Sequence, residues 1–163
     1  MKACYPGTFD PITNGHLDII ERASRMFDEV DVLIMVNPRK SCVFSVEERK
    51  DMIERCIQIL PTKDKIKVMI GSGLTVDFAK EIGAGAIVRG IRAVSDYEYE
   101  LQQATANLML NDEIETLFFI ARPEYSFLSS SVVKEIAQNG GDVTNLVPKT
   151  IRAEVTDTVK KRL

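Results

Sequence analysis

Residues 5–16 read Tyr5-Pro6-Gly7-Thr8-Phe9-Asp10-Pro11-Ile12-Thr13-Asn14-Gly15-His16. They follow a strand-like run, Lys2–Tyr5, and lead into a segment from Leu17 to Phe27 whose apolar residues recur at helical spacing. A strand, a turn rich in glycine and proline, and a helix form the place where α/β proteins usually bind an anion. Glycines admit a close backbone approach, and the free N–H groups of the first helical turn favour phosphate. His16, the only histidine, would lie at the helix entrance. A plain strand-to-helix turn with a surface histidine fits the spacing equally well.

Composition and charge limit the classes of protein to consider. The chain has 163 residues, so residues 1–163 are expected to form a single domain. Its formal net charge is −3, which provides no global basic field for nucleic acid. An anionic ligand must therefore be held by a local cluster of basic residues.

The three cysteines argue against a metal site and against disulfides. Cys4, Cys42 and Cys56 form no C-x-x-C pair, and with a single histidine they do not match a structural zinc pattern. An odd, scattered set suits a reducing compartment. Because no signal peptide or apolar run of transmembrane length is found, we expect a cytoplasmic protein with no membrane partner.

Strand-like and helical patterns alternate along the chain. Strands are predicted at Lys2–Tyr5, Val30–Val36, Lys65–Ile70, Ala86–Val88 and Glu115–Ile120. Capping boxes at Ser45–Glu48 and Ser95–Glu98 predict the start of two of the intervening helices. The alternation predicts a Rossmann-like, doubly wound α/β fold, in which helices cover both faces of a five-stranded parallel sheet.

In such sheets ligands bind beyond the carboxyl ends of the strands. The segments that follow the predicted strands carry most of the polar and basic residues of interest. These are Thr8 and His16, then Lys40, then Gly73 and Thr75, then Arg89 and Arg92, and finally Tyr125 to Ser131.

Two of these segments suit phosphate. Arg89-Gly90-Ile91-Arg92 places two guanidinium groups around a glycine, and arginine is suited to bidentate phosphate contacts. Ser129, Ser130 and Ser131 offer hydroxyl and backbone N–H groups at a helix start. The alternatives are a pair of solvated arginines and plain N-capping, which needs only one serine.

Two motifs carry a family resemblance. Thr13-Asn14-Gly15-His16 resembles the T/H-x-G-H signature of the nucleotidylyltransferase superfamily, and Gly7–Pro11 matches the segment that precedes it there. The serine stretch resembles the superfamily's I-S-S-T-x-x-R signature, with Leu128, Ser131 and Lys134 at the positions that differ. Lysine at the last position keeps the positive charge but not the bidentate fork of arginine.

Nearly the whole chain resembles the bacterial phosphopantetheine adenylyltransferases. The further matching segments are Lys40 after the second strand, Arg89–Val94, Asp96–Glu100 and Gly141–Thr144. The resemblance implies a reaction of ATP with 4′-phosphopantetheine that gives dephospho-coenzyme A and pyrophosphate. It also implies Mg²⁺ and a homohexamer; no carboxylate cluster for a metal is evident, so Mg²⁺ is expected to arrive bound to ATP.

The resemblance also assigns site residues. Phosphopantetheine would be bound by Thr8, Lys40, Thr75, Arg89 and Asn107. ATP would be bound by Thr8, Phe9, His16, Gly90, Ile91, Arg92, Glu100, Tyr125, Ser126, Phe127, Leu128, Ser129, Ser130 and Ser131. The catalytic residues would be His16, Lys40, Arg92 and Thr8. For Glu100 and Asn107 the alternative is the polar face of a helix.

Three other functions are considered. A nucleotidylyltransferase acting on nicotinamide mononucleotide or a polyol phosphate would share the fold and the first signature. A class I aminoacyl-tRNA synthetase fragment shares the histidine signature, but the chain lacks a K-M-S-K-S loop and a basic extension for tRNA. A non-catalytic nucleotide-sensing module would not need Thr8, His16, Lys40, Arg89 and Arg92 together.

Overall fold

The computed structural model describes residues 1–163 as a parallel sheet flanked by helices. Its elements are β1 (Lys2–Gly7), α1 (Asn14–Met26), β2 (Glu29–Met35), α2 (Val46–Ile57), β3 (Ile66–Gly71), α3 (Thr75–Glu81), β4 (Ala86–Ile91), α4 (Val94–Leu110), β5 (Glu115–Ile120), α5 (Ser130–Gln138) and α6 (Arg152–Arg162). The five strands are ordered β3-β2-β1-β4-β5, and every neighbouring pair is parallel. The predicted Rossmann-like fold with helices on both faces is confirmed.

The strand order determines where a ligand can bind. The chain runs from β1 outward to β2 and β3, then returns to place β4 on the other side of β1. The connection direction therefore reverses between β1 and β4, which is the point where a crevice opens beyond the strand ends. Gly7 ends β1 and Ile91 ends β4 at this point.

The two faces of the sheet are covered unequally. One face packs on α1, α2, α5 and α6 and forms a core of 31 buried residues. The other face forms a cluster of only six buried residues, to which α3 contributes Val76 and Ala79. Helix α4 also lies on this second face, yet Glu100 is its only buried residue. No helix in the molecule is both long and apolar enough to span a membrane.

Two local predictions differ from the structure. β4 extends through Arg89 to Ile91, so this arginine lies within the strand and not after it. The capping box at Ser45–Glu48 is confirmed, but the one at Ser95–Glu98 is wrong. The N-cap is Ala93, two residues earlier, and no side chain caps the first turn of α4. The Asp96 carboxylate instead accepts the Arg92 backbone N–H at 3.1 Å, just before the helix.

Candidate active site

His16 is fixed by the start of α1. Thr13 caps the helix, and its Oγ1 accepts the His16 backbone N–H at 3.2 Å. In return, His16 Nδ1 accepts the Thr13 backbone N–H at 3.0 Å. Because a backbone N–H can only donate, Nδ1 carries no proton, and the neutral ring must carry its proton on Nε2. The histidine thus takes the place that glutamate has in an ordinary capping box, and it presents a donor at Nε2.

The surroundings of His16 disfavour its charged form. Burial lowers the pKa of the imidazole to about 4, and the positive charges of Arg92 and Arg89 act in the same direction. The Phe9 ring packs edge-on against the imidazole with the ring centroids 5.0 Å apart. At neutral pH His16 is therefore an uncharged hydrogen-bond donor.

A first cavity of about 230 Å³ opens at the junction of β1 and β4. Ten of the residues predicted to bind ATP line it: Thr8, Phe9, His16, Gly90, Arg92, Glu100, Tyr125, Leu128, Ser129 and Ser130. The other four do not line it. Ile91 is buried in β4, and Ser126, Phe127 and Ser131 are exposed to solvent. Their contact with ATP stays a prediction.

A second cavity of about 300 Å³ lies beside the first, between the sheet and α4. All five residues predicted to bind phosphopantetheine line this cavity: Thr8, Lys40, Thr75, Arg89 and Asn107. They come from five different segments of the chain. The sequence prediction therefore selected residues that the fold brings together.

The two cavities share a wall. Pro6, Gly7, Thr8, Arg89 and Glu100 line both of them. Thr8 follows the end of β1 directly, and its carbonyl accepts a hydrogen bond from Arg49 Nη1 at 2.8 Å. Molecules bound in the two cavities would therefore meet at this wall.

Arg89 is held in place by a carboxylate. Its Nε and Nη2 each donate to a Glu100 oxygen at 2.6 Å, and its Nη1 donates to the Pro6 carbonyl at 2.6 Å. Burial opposes the charge on Arg89, but the hydrogen bonds and charge of Glu100 prevail and raise its pKa. Glu100 is only 7% exposed, so it does not belong to a solvated helix face. Glu100 was predicted to bind ATP, but its hydrogen bonds fit a residue that positions Arg89.

Arg92 connects two segments of the first cavity. Its Nε and Nη2 pair with the Asp96 carboxylate at 2.9 and 3.1 Å, and its Nη1 donates to the Leu128 carbonyl at 2.7 Å. The arginine therefore links the end of β4 to the serine stretch.

The serines have separate roles. Ser129 caps α5, because its Oγ accepts the Val132 backbone N–H at 3.1 Å. Ser130 Oγ donates to the Pro11 carbonyl at 2.7 Å, which ties α5 to the loop after β1. Plain capping thus accounts for one serine and a loop contact for the second.

Sequence reasoning missed the residues that hold these loops together. Asp10 is 2% exposed, and its carboxylate accepts the backbone N–H groups of Val43 and Phe44 at 3.0 and 2.9 Å. Lys134 Nζ, whose role was left open, pairs with the same carboxylate at 2.9 Å. Asp10 lies inside the first matched motif, and that position was the one available signal.

Comparison with known proteins agrees with this architecture. The profile of the family described as Cytidylyltransferase-like matches residues 4–136. The chain is 51% identical over 154 residues to the phosphopantetheine adenylyltransferase of Finegoldia magna, and the match covers 94% of this chain and 93% of that protein. It is 53% identical to the phosphopantetheine adenylyltransferase of Thermotoga neapolitana, over 94% of each chain.

Solved structures share the fold at much lower identity. The putative nicotinate-nucleotide adenylyltransferase of Vibrio parahaemolyticus matches with a TM-score of 0.74 and 14% identity over 99% of this chain and 96% of that one. The Plasmodium falciparum nicotinic acid mononucleotide adenylyltransferase complexed with NaAD matches with a TM-score of 0.70 and 17% identity, over 98% and 94%. The fold is therefore that of nucleotidylyltransferases. Sequence identity of 51–53% to relatives over almost their whole length shows that the chain belongs to the phosphopantetheine adenylyltransferase family.

Proposed function

We propose that the first cavity binds ATP, that the second binds 4′-phosphopantetheine, and that the reacting phosphates meet at Thr8. As a member of its family, the chain is a nucleotidyltransferase of coenzyme A biosynthesis. It transfers AMP from ATP to 4′-phosphopantetheine and gives dephospho-coenzyme A and pyrophosphate. The observation that carries the assignment of the cavities is their common wall, because Thr8 and Arg89 line both.

The chemistry needs no proton acceptor. An oxygen of the phosphopantetheine phosphate attacks the α-phosphorus of ATP, a new P–O bond forms, and the bond to the β-phosphate breaks as pyrophosphate leaves. A phosphate monoester has its second pKa near 6, so the attacking group is largely dianionic at neutral pH. The barrier is the approach of two anions, and catalysis then rests on positioning and electrostatic stabilisation.

The basic groups divide between the two substrates. Lys40, exposed on the loop after β2, and Arg89 would hold the attacking phosphate. Arg92 and the Nε2–H of neutral His16 would stabilise the α-phosphate of ATP as negative charge builds up there. Thr8 would orient both groups. The neutral imidazole can fill this role because Nδ1 accepts the Thr13 backbone N–H, which leaves the ring proton on Nε2 as the donor.

Mg²⁺ would neutralise part of the triphosphate charge. We propose that it is held mainly by ATP and water, as hard cations in nucleotide sites usually are. The carboxylates of the first cavity support this, since Asp96 and Glu100 are each bonded to an arginine. No group of three or more His, Cys, Asp or Glu side chains in the molecule forms a cluster for a metal ion.

We also propose that residues 1–163 act as a single cytoplasmic domain that assembles into a homohexamer. The second face of the sheet supports this assembly, because its cluster has only six buried residues and α4 buries only Glu100 there. Helix α4 exposes Met109 by 84% and Leu110 by 59%, and large exposed apolar patches mark association sites. Three unpaired cysteines suit a reducing compartment.

The first prediction separates the two substrates. Lys40→Ala should raise the KM for 4′-phosphopantetheine about tenfold or more, the effect of losing a charged hydrogen-bond donor, and should leave the KM for ATP nearly unchanged. Steady-state pyrophosphate release with each substrate varied in turn measures this. Arg39→Ala, in the same exposed loop but outside both cavities, is the matched control and should behave as wild type. Equal losses for both substrates would contradict the assignment of Lys40.

The second prediction concerns the charge on His16. The Cε1–H signal of this single histidine should not shift between pH 8 and pH 5.5 in an NMR titration, because its pKa is lowered to about 4. The unfolded chain binds this proton near pH 6.5, so the depressed pKa also makes the fold less stable as pH falls from about 6.5 towards 4. A midpoint near 6.5 in the folded protein would show a solvated imidazole and contradict the proposed neutral donor.

The third prediction concerns assembly. Light scattering at micromolar concentration should give about 110 kDa, six times the 18.3 kDa of the chain. Met109→Glu should lower the mass, whereas Met26→Glu, 71% exposed at the end of α1, should not. A monomer mass for the wild type would contradict the proposed hexamer. An equal loss of mass in the two variants would contradict the proposed role of α4 in assembly.

A further inference from the structure

The inner end of the second cavity holds a polar group that no role above explains. Thr116 lies in β5 beside Ile87 of β4, and both line the cavity under Ala104 and Asn107 of α4. The Thr116 hydroxyl is buried and has no hydrogen-bond partner within the chain. Among the buried side-chain atoms that lack a hydrogen-bond partner, it is the only one whose residue lines this cavity.

Such a hydroxyl is costly in the free protein. A buried polar group without a partner loses its hydrogen bonds to water and gains nothing in exchange. A valine has nearly the same shape and would avoid this cost at the same position. A ligand that supplies the missing partner recovers the lost interaction, so the hydroxyl favours a ligand with a polar group at this depth.

The depth matches the pantetheine arm. Ile87 pairs with Thr116 and precedes Arg89 by two residues in the same strand, so Thr116 lies about 7 Å from Arg89 along the strand direction, at about 3.3 Å per residue. In 4′-phosphopantetheine three carbons, the last of which carries a hydroxyl, separate the phosphate ester oxygen from the first amide, which is a similar length. A hydroxyl can both donate to an amide carbonyl and accept from an amide N–H.

We propose that the Thr116 hydroxyl hydrogen-bonds an amide of the pantetheine arm and selects this acceptor over phosphate monoesters that lack an amide. The proposal rests on the assignment of the second cavity to 4′-phosphopantetheine. Sites with a buried polar group discriminate strongly against ligands that leave the group unpaired. Thr116 therefore contributes to substrate choice, while Lys40 contributes to holding any phosphate.

The test is the affinity of three variants for 4′-phosphopantetheine, measured by titration calorimetry. Thr116→Val should raise the Kd about fivefold, the effect of one neutral hydrogen bond, and should leave the Kd for ATP unchanged. Thr116→Ser keeps the hydroxyl and should retain most of the affinity. Thr105→Val is the matched control, because that exposed hydroxyl bonds the Leu101 carbonyl of its own helix at 2.8 Å. It should bind as wild type.

Butyl phosphate, which lacks both the amides and the hydroxyl of the pantetheine arm, separates a polar contact with that arm from a general disturbance of the cavity. Thr116→Val should bind it as wild type does, whereas Lys40→Ala should bind both phosphates more weakly. Wild-type affinity of Thr116→Val for 4′-phosphopantetheine, or an equal loss for both phosphates, would overturn the proposal for Thr116 alone. Unchanged affinity of Lys40→Ala for both phosphates would instead overturn the assignment of the cavity, and the Thr116 proposal with it.

Discussion

The buried carboxylate of Asp10 holds the two halves of the site together. It lies in the loop after β1, binds two backbone N–H groups of the loop that carries Lys40, and pairs with Lys134 of the helix that follows the serine stretch. A charge with 2% exposure is tolerated only when its oxygens are satisfied, so all three segments must be in place at once. This one group thereby fixes the loop that carries Lys40 and helix α5 relative to the end of β1.

The same principle governs Arg89 at the shared wall and Arg92 in the first cavity. Arg89 and Arg92 are each fixed by a carboxylate, Glu100 and Asp96, which leaves their remaining N–H groups aimed in defined directions. Fixed donors stabilise a developing charge without reorganising at the moment of reaction. Burial lowers the pKa of His16, and the positive charges of Arg92 and Arg89 act in the same direction. The hydrogen bonds that fix the two arginines therefore determine both their positions and the field at the imidazole.

The sequence predicted the fold because strands and helices follow local patterns, and the family resemblance selected residues of which most line the two cavities. Strand and helix periodicity indicated the sheet, and the rule for strand ends placed Thr8, His16 and Lys40 on one rim. The features that the sequence could not predict depend on contacts between segments that are distant along the chain. The pairing of Arg89 with Glu100 required the path of α4, and the orphan hydroxyl of Thr116 required the depth of the cavity. Gly90 was predicted to bind ATP, and the structure adds that a Cβ there would lie 2.5 Å from Ile19 Cδ1, so any other residue would displace the end of that side chain.

The central claim is that His16 donates a hydrogen bond to the α-phosphate and removes no proton. It is tested most directly by the pH dependence of kcat/KM for 4′-phosphopantetheine from pH 5 to 8.5, for wild type and His16→Ala. We expect kcat and kcat/KM both to fall roughly 10²-fold in the variant, as on loss of one oxyanion-hole donor. The decline of kcat/KM at acid pH should persist unchanged in the variant, because this ratio reports the free substrate, whose phosphate has its pKa near 6. Loss of that decline in His16→Ala would identify His16 as a general base, and a kcat within a few-fold of wild type would remove its catalytic role.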